Sequence, residues 1–155
     1  MIPTIRDAVR EDIAFLDTAN AAMAWETEHK RLDFAVVERG VAGIFDDPRR
    51  GFYLIAEHAG AAAGSLLITH EWSDWRSGKW WWIQSVYVMP PARRHGMFRA
   101  LYAEVERRAR ARPGVVGLRL YVERDNVRAQ QTYAALGMAP TQYNMFEREF
   151  PLSSQ

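Results

Sequence analysis

The stretch VYVMPPARRHGMFRALY, Val86 to Tyr102, opens on alternating apolar residues and closes on apolar residues three and four apart. A period of two giving way to one of 3.6 marks a strand that passes into a helix. The crossing is made on Arg93, Arg94, His95 and Gly96, so two arginines and a histidine surround the one residue that tolerates any backbone conformation.

Downstream, Phe98, Leu101, Tyr102, Val105 and Ala109 keep the helical interval until Pro113-Gly114 ends it. Val116, Leu118, Leu120 and Val122 then alternate as a strand over 115–122. With the strand predicted over 80–89, this makes a strand-helix-strand unit, whose two strands lie parallel through a right-handed crossover.

Upstream, 52–57 and 63–71 read as strands joined by a turn at Gly60, giving an antiparallel meander that leads into the quoted stretch. A short strand is predicted over 4–8. Helices are predicted over 11–23, from Ile13, Leu16, Ala19 and Met23, and over 33–45, stopped by Asp46-Asp47-Pro48. A helix over 126–136 and a last strand over 143–150 complete the chain. No repeat, low-complexity tract or linker interrupts it, so residues 1–155 are expected to form one α+β domain around a mixed, mostly antiparallel sheet flanked by helices.

Composition narrows the function. The chain has 155 residues, 48% apolar and 25% charged, which suits a globular core. Its formal net charge of +1 gives no general attraction to nucleic acid or to an anionic membrane, so neither partner is expected. Arg99, Arg107, Arg108, Arg110 and Arg112 line a helix that also carries Glu104 and Glu106, the pattern of a solvated face. There is no cysteine, which excludes disulfides, thiolate metal sites and a cysteine-linked covalent intermediate. Histidines at 29, 58, 70 and 95 show no ligand spacing, so no metal is expected. No apolar run approaches the roughly 20 residues of a membrane span, and a cytoplasmic location is the default expectation.

A helix beginning after Gly96 directs backbone N–H groups and the positive end of its dipole at the loop, which suits a phosphate. Flanking arginines would add charge-assisted hydrogen bonds. Neither GxxxxGK[ST] nor GxGxxG is present, so the cradle is not that of a P-loop or a dinucleotide fold.

Val86-Tyr87-Val88 followed by Arg93-Arg94-His95-Gly96-Met97-Phe98 resembles the signature of the GNAT-type N-acetyltransferases, a valine-rich strand and then Arg or Gln, two residues, Gly, one residue, and Gly or Ala. Phe98 departs from the small residue at the last place. A second segment, Leu118 to Asn126 and on through Ala129 and Tyr133 to Leu136-Gly137-Met138, is similar to the same family's later motif.

The resemblance implies transfer of an acetyl group from acetyl-CoA to an amine, with the cofactor between the strand of Val86 and that of Leu120. Val86, Tyr87 and Val88 would meet the pantetheine arm in β-strand fashion. Arg93, Arg94, His95, Gly96, Met97, Phe98 and Arg99 would surround the pyrophosphate. Asn126 would cap its helix or hold the cofactor. Tyr133 stands where family members often use a tyrosine to protonate the departing thiolate, and a phenol matches that task in basicity.

The general base is less evident. Some members place a carboxylate near the positions that here read Trp82-Ile83-Gln84, and neither Trp82 nor Gln84 is a base. Glu26, Glu28, Glu71 and Asp74 are the carboxylates near the expected acceptor side, and Glu28 is taken as the catalytic candidate. Tryptophans at 25, 72, 75, 80, 81 and 82 are interleaved with these acids. Alternation puts Trp80 and Trp82 on one sheet face and Trp81 on the other. Some would pack in the core or at a homodimer contact. Others, with Glu26, Trp72, Asp74, Trp75, Trp82 and Gln84 as the expected acceptor set, would receive a cationic amine. A small-molecule or amino-acid-like amine is the expected acceptor. A peptide acceptor, or a module that binds acyl-CoA without catalysis, stays open.

Overall fold

The computed structural model describes residues 2–151, and the chain divides into two compact units, Met1–Leu120 and Tyr121–Gln155. The first contains β1 (Thr4–Asp7), α1 (Ile13–Glu28), α2 (Phe34–Asp46), β2 (Gly51–His58), β3 (Ala61–Ser73), β4 (Gly78–Val88), α3 (Met97–Ala111) and β5 (Val115–Arg119). Its five strands form one sheet in sequence order, antiparallel from β1 to β4 and parallel between β4 and β5. The strand-helix-strand unit read from the quoted stretch is this last pair with α3 between them.

Local chemistry explains most of the boundaries. Ala59 and Gly60 both have positive φ, 53° and 80°, the conformation of a two-residue hairpin turn between β2 and β3. Asp33 caps α2 by accepting the Ala35 N–H at 3.0 Å. The first helix is longer than expected and continues past Met23 to Glu28. The apolar spacing fades there, but Ala21, Ala22 and Ala24 sustain the helix by propensity until His29 closes it in the left-handed region. Glu26 and Glu28 therefore stand on the last turns of a helix rather than in a loop.

The two sheet faces bury different partners. Leu16 of α1 and Val41 of α2 pack with Tyr53, Ile55 and Leu67, which point to one face. Alternation sends Leu54, Leu66, Ile68, Trp81 and Ile83, all buried, to the other. That second face carries α3, whose Leu101, Val105 and Ala109 are buried, and Arg112 at its end lies over the Trp81 ring at 5.8 Å.

In β4 the pairing steps from Tyr87 opposite Ser65 to Gln84 opposite Leu67, so Ser85 and Val86 share one place against Leu66. Ser85 has a φ of 52°, the left-handed kink of a bulge. On its other side β4 pairs with β5 only from Lys79 to Trp82, and the last rung is Trp82 to Arg119. The strand expected over 115–122 accordingly stops at Arg119, because no ladder partner continues it.

The second unit holds α4 (Val127–Ala135). Asn126 caps it, its Oδ1 accepting the Ala129 N–H at 3.1 Å. Gly137, with φ 96°, and Met138 close it by donating to Ala134 O and Tyr133 O, both at 3.0 Å. Losing the cap in Asn126→Ala is expected to cost about 1 kcal/mol, read as faster amide exchange in the first turn of α4 than in α3. The strand expected over 143–150 is absent: residues 136–151 carry neither helix nor strand, since a strand needs a ladder partner and this unit offers none. Tyr143, Met145, Phe146 and Phe150 are exposed.

Candidate active site

The bulge and the early end of β5 act on the same length of β4. From Ile83 to Val88 its β5-facing side has no strand partner among the described residues. A free strand edge presents N–H and C=O groups at regular intervals to an extended chain. Val86 and Val88 lie on it, both half-buried. Beyond it, a 3-10 turn at Pro90–Ala92 leads into the loop.

Arg94 and Gly96 both adopt positive φ, 67° and 76°, and α3 starts with no side-chain cap. Its first backbone bond runs from the Ala100 N–H to Gly96 O at 3.0 Å, so the N–H groups of Met97 to Arg99 come before the helical ladder begins. Gly96 is needed for its conformation and not for space, as a Cβ there would touch nothing within 4 Å. Met97 is buried, Phe98 is half-buried with its ring 6.3 Å from that of Tyr102, and Arg94 and Arg99 are exposed. The His95 ring lies 5.1 Å from that of His58 at the end of β2, tilted by 33°, a neighbour that no local sequence signal announces.

Arg93 is held by the strand end and by the first helix. Its Nε donates to Val88 O at 2.9 Å, its Nη2 donates to Glu26 at 2.7 Å, and its guanidinium lies 5.6 Å from the Tyr87 ring centre. The Tyr87 hydroxyl also donates to Glu26, at 3.3 Å. Desolvation, then the Glu26 charge, pushes the Tyr87 phenol up. Thus Glu26, expected on the acceptor side, and Arg93, expected at the phosphates, are joined to each other.

On the face shared with α1 and α2, the register places Thr69, Glu71, Trp80, Trp82, Gln84 and Arg119 together. The Gln84 amide donates to Thr69 Oγ1 at 2.8 Å. The Trp82 indole N–H donates to Glu71 at 2.8 Å, and Arg119 Nη1 donates to both Glu71 oxygens at 3.0 and 3.2 Å. The Trp82 hydrogen bond, and after it Arg119, holds the Glu71 carboxyl below its usual range, which makes it a weaker base. Arg119 stacks 3.9 Å over the Trp80 ring. That ring lies on Gly117, where a Cβ would come within 2.5 Å of it. Trp81 faces the opposite way and is buried, as alternation predicts.

Trp72, Asp74 and Trp75 stand at the β3–β4 hairpin end and are exposed. Glu28 is exposed at the end of α1 and makes no side-chain hydrogen bond or ion pair among the described residues. In the second unit, Asn126 is occupied as a cap, and burial pushes the Tyr133 phenol above its ordinary value. The sequence reading missed Arg119 and Ser85. Neither carries a local signal, because each matters only through pairing with a distant strand.

The sequence model of the Acetyltransferase (GNAT) family matches residues 11–138. The chain belongs to the GNAT acetyltransferase family. The crystal structure of "a possible acetyltransferase from Clostridium difficile 630" is 38% identical, covers 97% of this chain and 99% of its own, and superposes with a TM-score of 0.90. A predicted acetyltransferase of Clostridium acetobutylicum, solved with acetyl-CoA, is 15% identical, with coverages of 95% and 96% and a TM-score of 0.76. A transcriptional regulator from Bacillus halodurans C-125 is 20% identical, with coverages of 96% and 100% and a TM-score of 0.80. At those identities the last two show the GNAT fold alone. None of the curated proteins matches the chain. For a GNAT acetyltransferase the general reaction is acyl transfer, and the open edge of β4 beside the first turn of α3 offers groups suited to an acyl-CoA. No helix among the described residues is long and apolar enough to cross a membrane.

Proposed function

We propose that this protein transfers the acetyl group of acetyl-CoA to a primary amine of a small-molecule or amino-acid-like acceptor, by direct attack while both substrates are bound. The observation that carries the reading is the length of β4 from Ile83 to Val88 that has no strand partner on its β5 side among the described residues and leads, through the loop from Arg93 to Gly96, into the uncapped start of α3. An amide-bearing arm can pair with the first, and phosphates suit the second.

Acetyl-CoA supplies an activated acetyl group, and the chain supplies binding and proton handling. Val86 and Val88 offer backbone groups to the arm. N–H groups from Met97 to Arg99 and the exposed Arg94 meet the phosphates, and Arg93, its charge paired with Glu26 and its Nε on Val88 O, holds the start of the loop beside them. With no cysteine to carry the acetyl group, the amine nitrogen attacks the thioester carbonyl itself, and the C–S bond breaks as the new C–N bond forms. Tyr133 donates its phenolic proton to the leaving sulfur. Glu28 accepts the ammonium proton through water, because Glu26 and Glu71 are both engaged by arginines. One observation favours a non-catalytic acyl-CoA module instead: the β4 position near the bulge is an amide, Gln84, already bonded to Thr69.

The test follows CoA release from acetyl-CoA with a thiol reagent against amino acids, polyamines, aminoglycosides and lysine peptides. The protein contributes no thiol background. Acceptor-dependent release is expected from the small amines. Acetyl-CoA binding with no release against any acceptor favours the module, and no binding overturns the reading of the loop.

A further inference from the structure

Arg119 sits on the last rung before β4 and β5 part, on the face that also carries Trp82 and Gln84. Its guanidinium is fixed from two directions, stacked 3.9 Å over Trp80 and paired through Nη1 alone with Glu71. Nε and Nη2, the edge that presents two parallel N–H donors, make no hydrogen bond among the described residues. The side chain is 26% exposed and that of Glu71 43%, so both are reachable from solvent. A planar edge held rigid by stacking, with two parallel donors uncommitted, matches a carboxylate in geometry and charge. The neighbouring negative charge of Glu71 disfavours a doubly charged phosphate in the same place and favours an ammonium beside it. Trp82 steadies that carboxylate by its indole N–H, so both charges are positioned before any ligand arrives.

Resting on the acetyl-transfer reading, we propose that Arg119 and Glu71 select an acceptor that carries a carboxylate close to its amine, an amino acid with its carboxylate free, with Arg119 binding the carboxylate through Nε and Nη2. Glu71 then faces the ammonium group before the amine is deprotonated. Gly117 is part of the device, since only a residue without a side chain lets the Trp80 ring lie where Arg119 stacks on it.

The experiment compares amino acids with their methyl esters and amides, and with phosphoethanolamine, as acceptors for the wild-type protein, Arg119→Gln and Arg119→Lys. The same pairs are titrated by calorimetry without acetyl-CoA. In the wild type the free acids are expected to exceed their esters in kcat/KM by about tenfold or more, the worth of a charge-assisted bidentate pair. That preference falls towards unity in Arg119→Gln and is partly kept in Arg119→Lys, which retains charge but loses the planar edge, while KM for acetyl-CoA stays unchanged in both. Esters accepted as well as acids, phosphoethanolamine preferred, or a preference that survives in a folded Arg119→Gln protein each overturn the proposal. If nothing is acetylated, calorimetry still decides it. Carboxylate-dependent binding lost in Arg119→Gln upholds the proposal and sinks the transferase reading alone, whereas binding indifferent to the carboxylate overturns it. Should Arg119→Gln fail to fold, Arg119→Lys with the wild-type ester comparison gives the same decision.

Discussion

Tyr133→Phe is expected to lower the rate of acetyl transfer by about 10²–10⁴-fold, the usual worth of a positioned general acid, and to leave acetyl-CoA affinity nearly unchanged. The substitution removes one oxygen and keeps the ring, so the packing of α4 survives and the loss falls on the proton. Burial raises the phenol above its ordinary value, which keeps it protonated through neutral and mildly alkaline pH. A neutral phenol that keeps its proton at the working pH can donate it to a thiolate as the C–S bond breaks. Turnover and acetyl-CoA binding measured on one preparation separate the roles. A drop in turnover at constant affinity supports the acid, and a drop in affinity alone assigns Tyr133 to binding. Turnover equal to wild type removes the role altogether.

The parts of this fold that could be read in the sequence are those fixed by neighbours along the chain. The crossing from β4 to α3 announces itself because the apolar period changes there and Gly96 marks the turn. Asn126 announces α4 because a cap acts over three residues. What escaped the reading depends on partners far away in sequence. Ser85 occupies the left-handed region with nothing in its local sequence to call for it; the kink exists because β3 and β4 differ by one residue across that length. Val122 alternates as well as Val116 does, yet β5 stops at Arg119, where its ladder with β4 ends opposite Trp82. Residues 143–150 likewise have the composition of a strand and no ladder to join. The extra turns of α1 escaped for a different reason: an alanine-rich helix end has propensity without an apolar stripe.

The same distinction holds for the candidate site. The loop from Arg93 to Gly96 is legible because its residues are contiguous. Glu71 and Arg119, separated by 48 positions, meet only through the register of three strands, and no spacing rule brings them together. Trp80, Trp81 and Trp82 show what alternation can supply without register. It divides the three rings between two faces, but it cannot say that Trp81 meets Phe52 in the core while Trp80 lies beneath an arginine. A loop of contiguous residues is therefore readable in the sequence, and a side-chain cluster assembled across strands is not.

Asp17→Asn is expected to stabilise the protein at neutral pH, because it removes the cost of holding a buried carboxylate ionised, and the gain should depend on pH. Asp17 lies on the buried side of α1, is 4% exposed, and has an Oδ1 with no hydrogen-bond partner. Burial, and then the charge of Glu38 on α2, raises its pKa above the usual carboxylate value; the Tyr53 phenol of β2, itself hydrogen-bonded with Asn20 of α1, lies within reach of its charge. In the unfolded chain the carboxyl ionises near pH 4. A folded value above the unfolded one means that the native state binds the proton more tightly, so wild-type stability is fully present below about pH 4 and declines as pH rises through the folded value. Asparagine does not titrate, so the difference between variant and wild type should grow above about pH 4 and level off once Asp17 is ionised in the native state. Urea denaturation of both proteins at intervals from pH 4 to pH 8 measures that difference directly. A difference that stays constant across the range, or a variant less stable at pH 7, would show that Asp17 has a partner in solution and that its carboxylate is tolerated charged in the core.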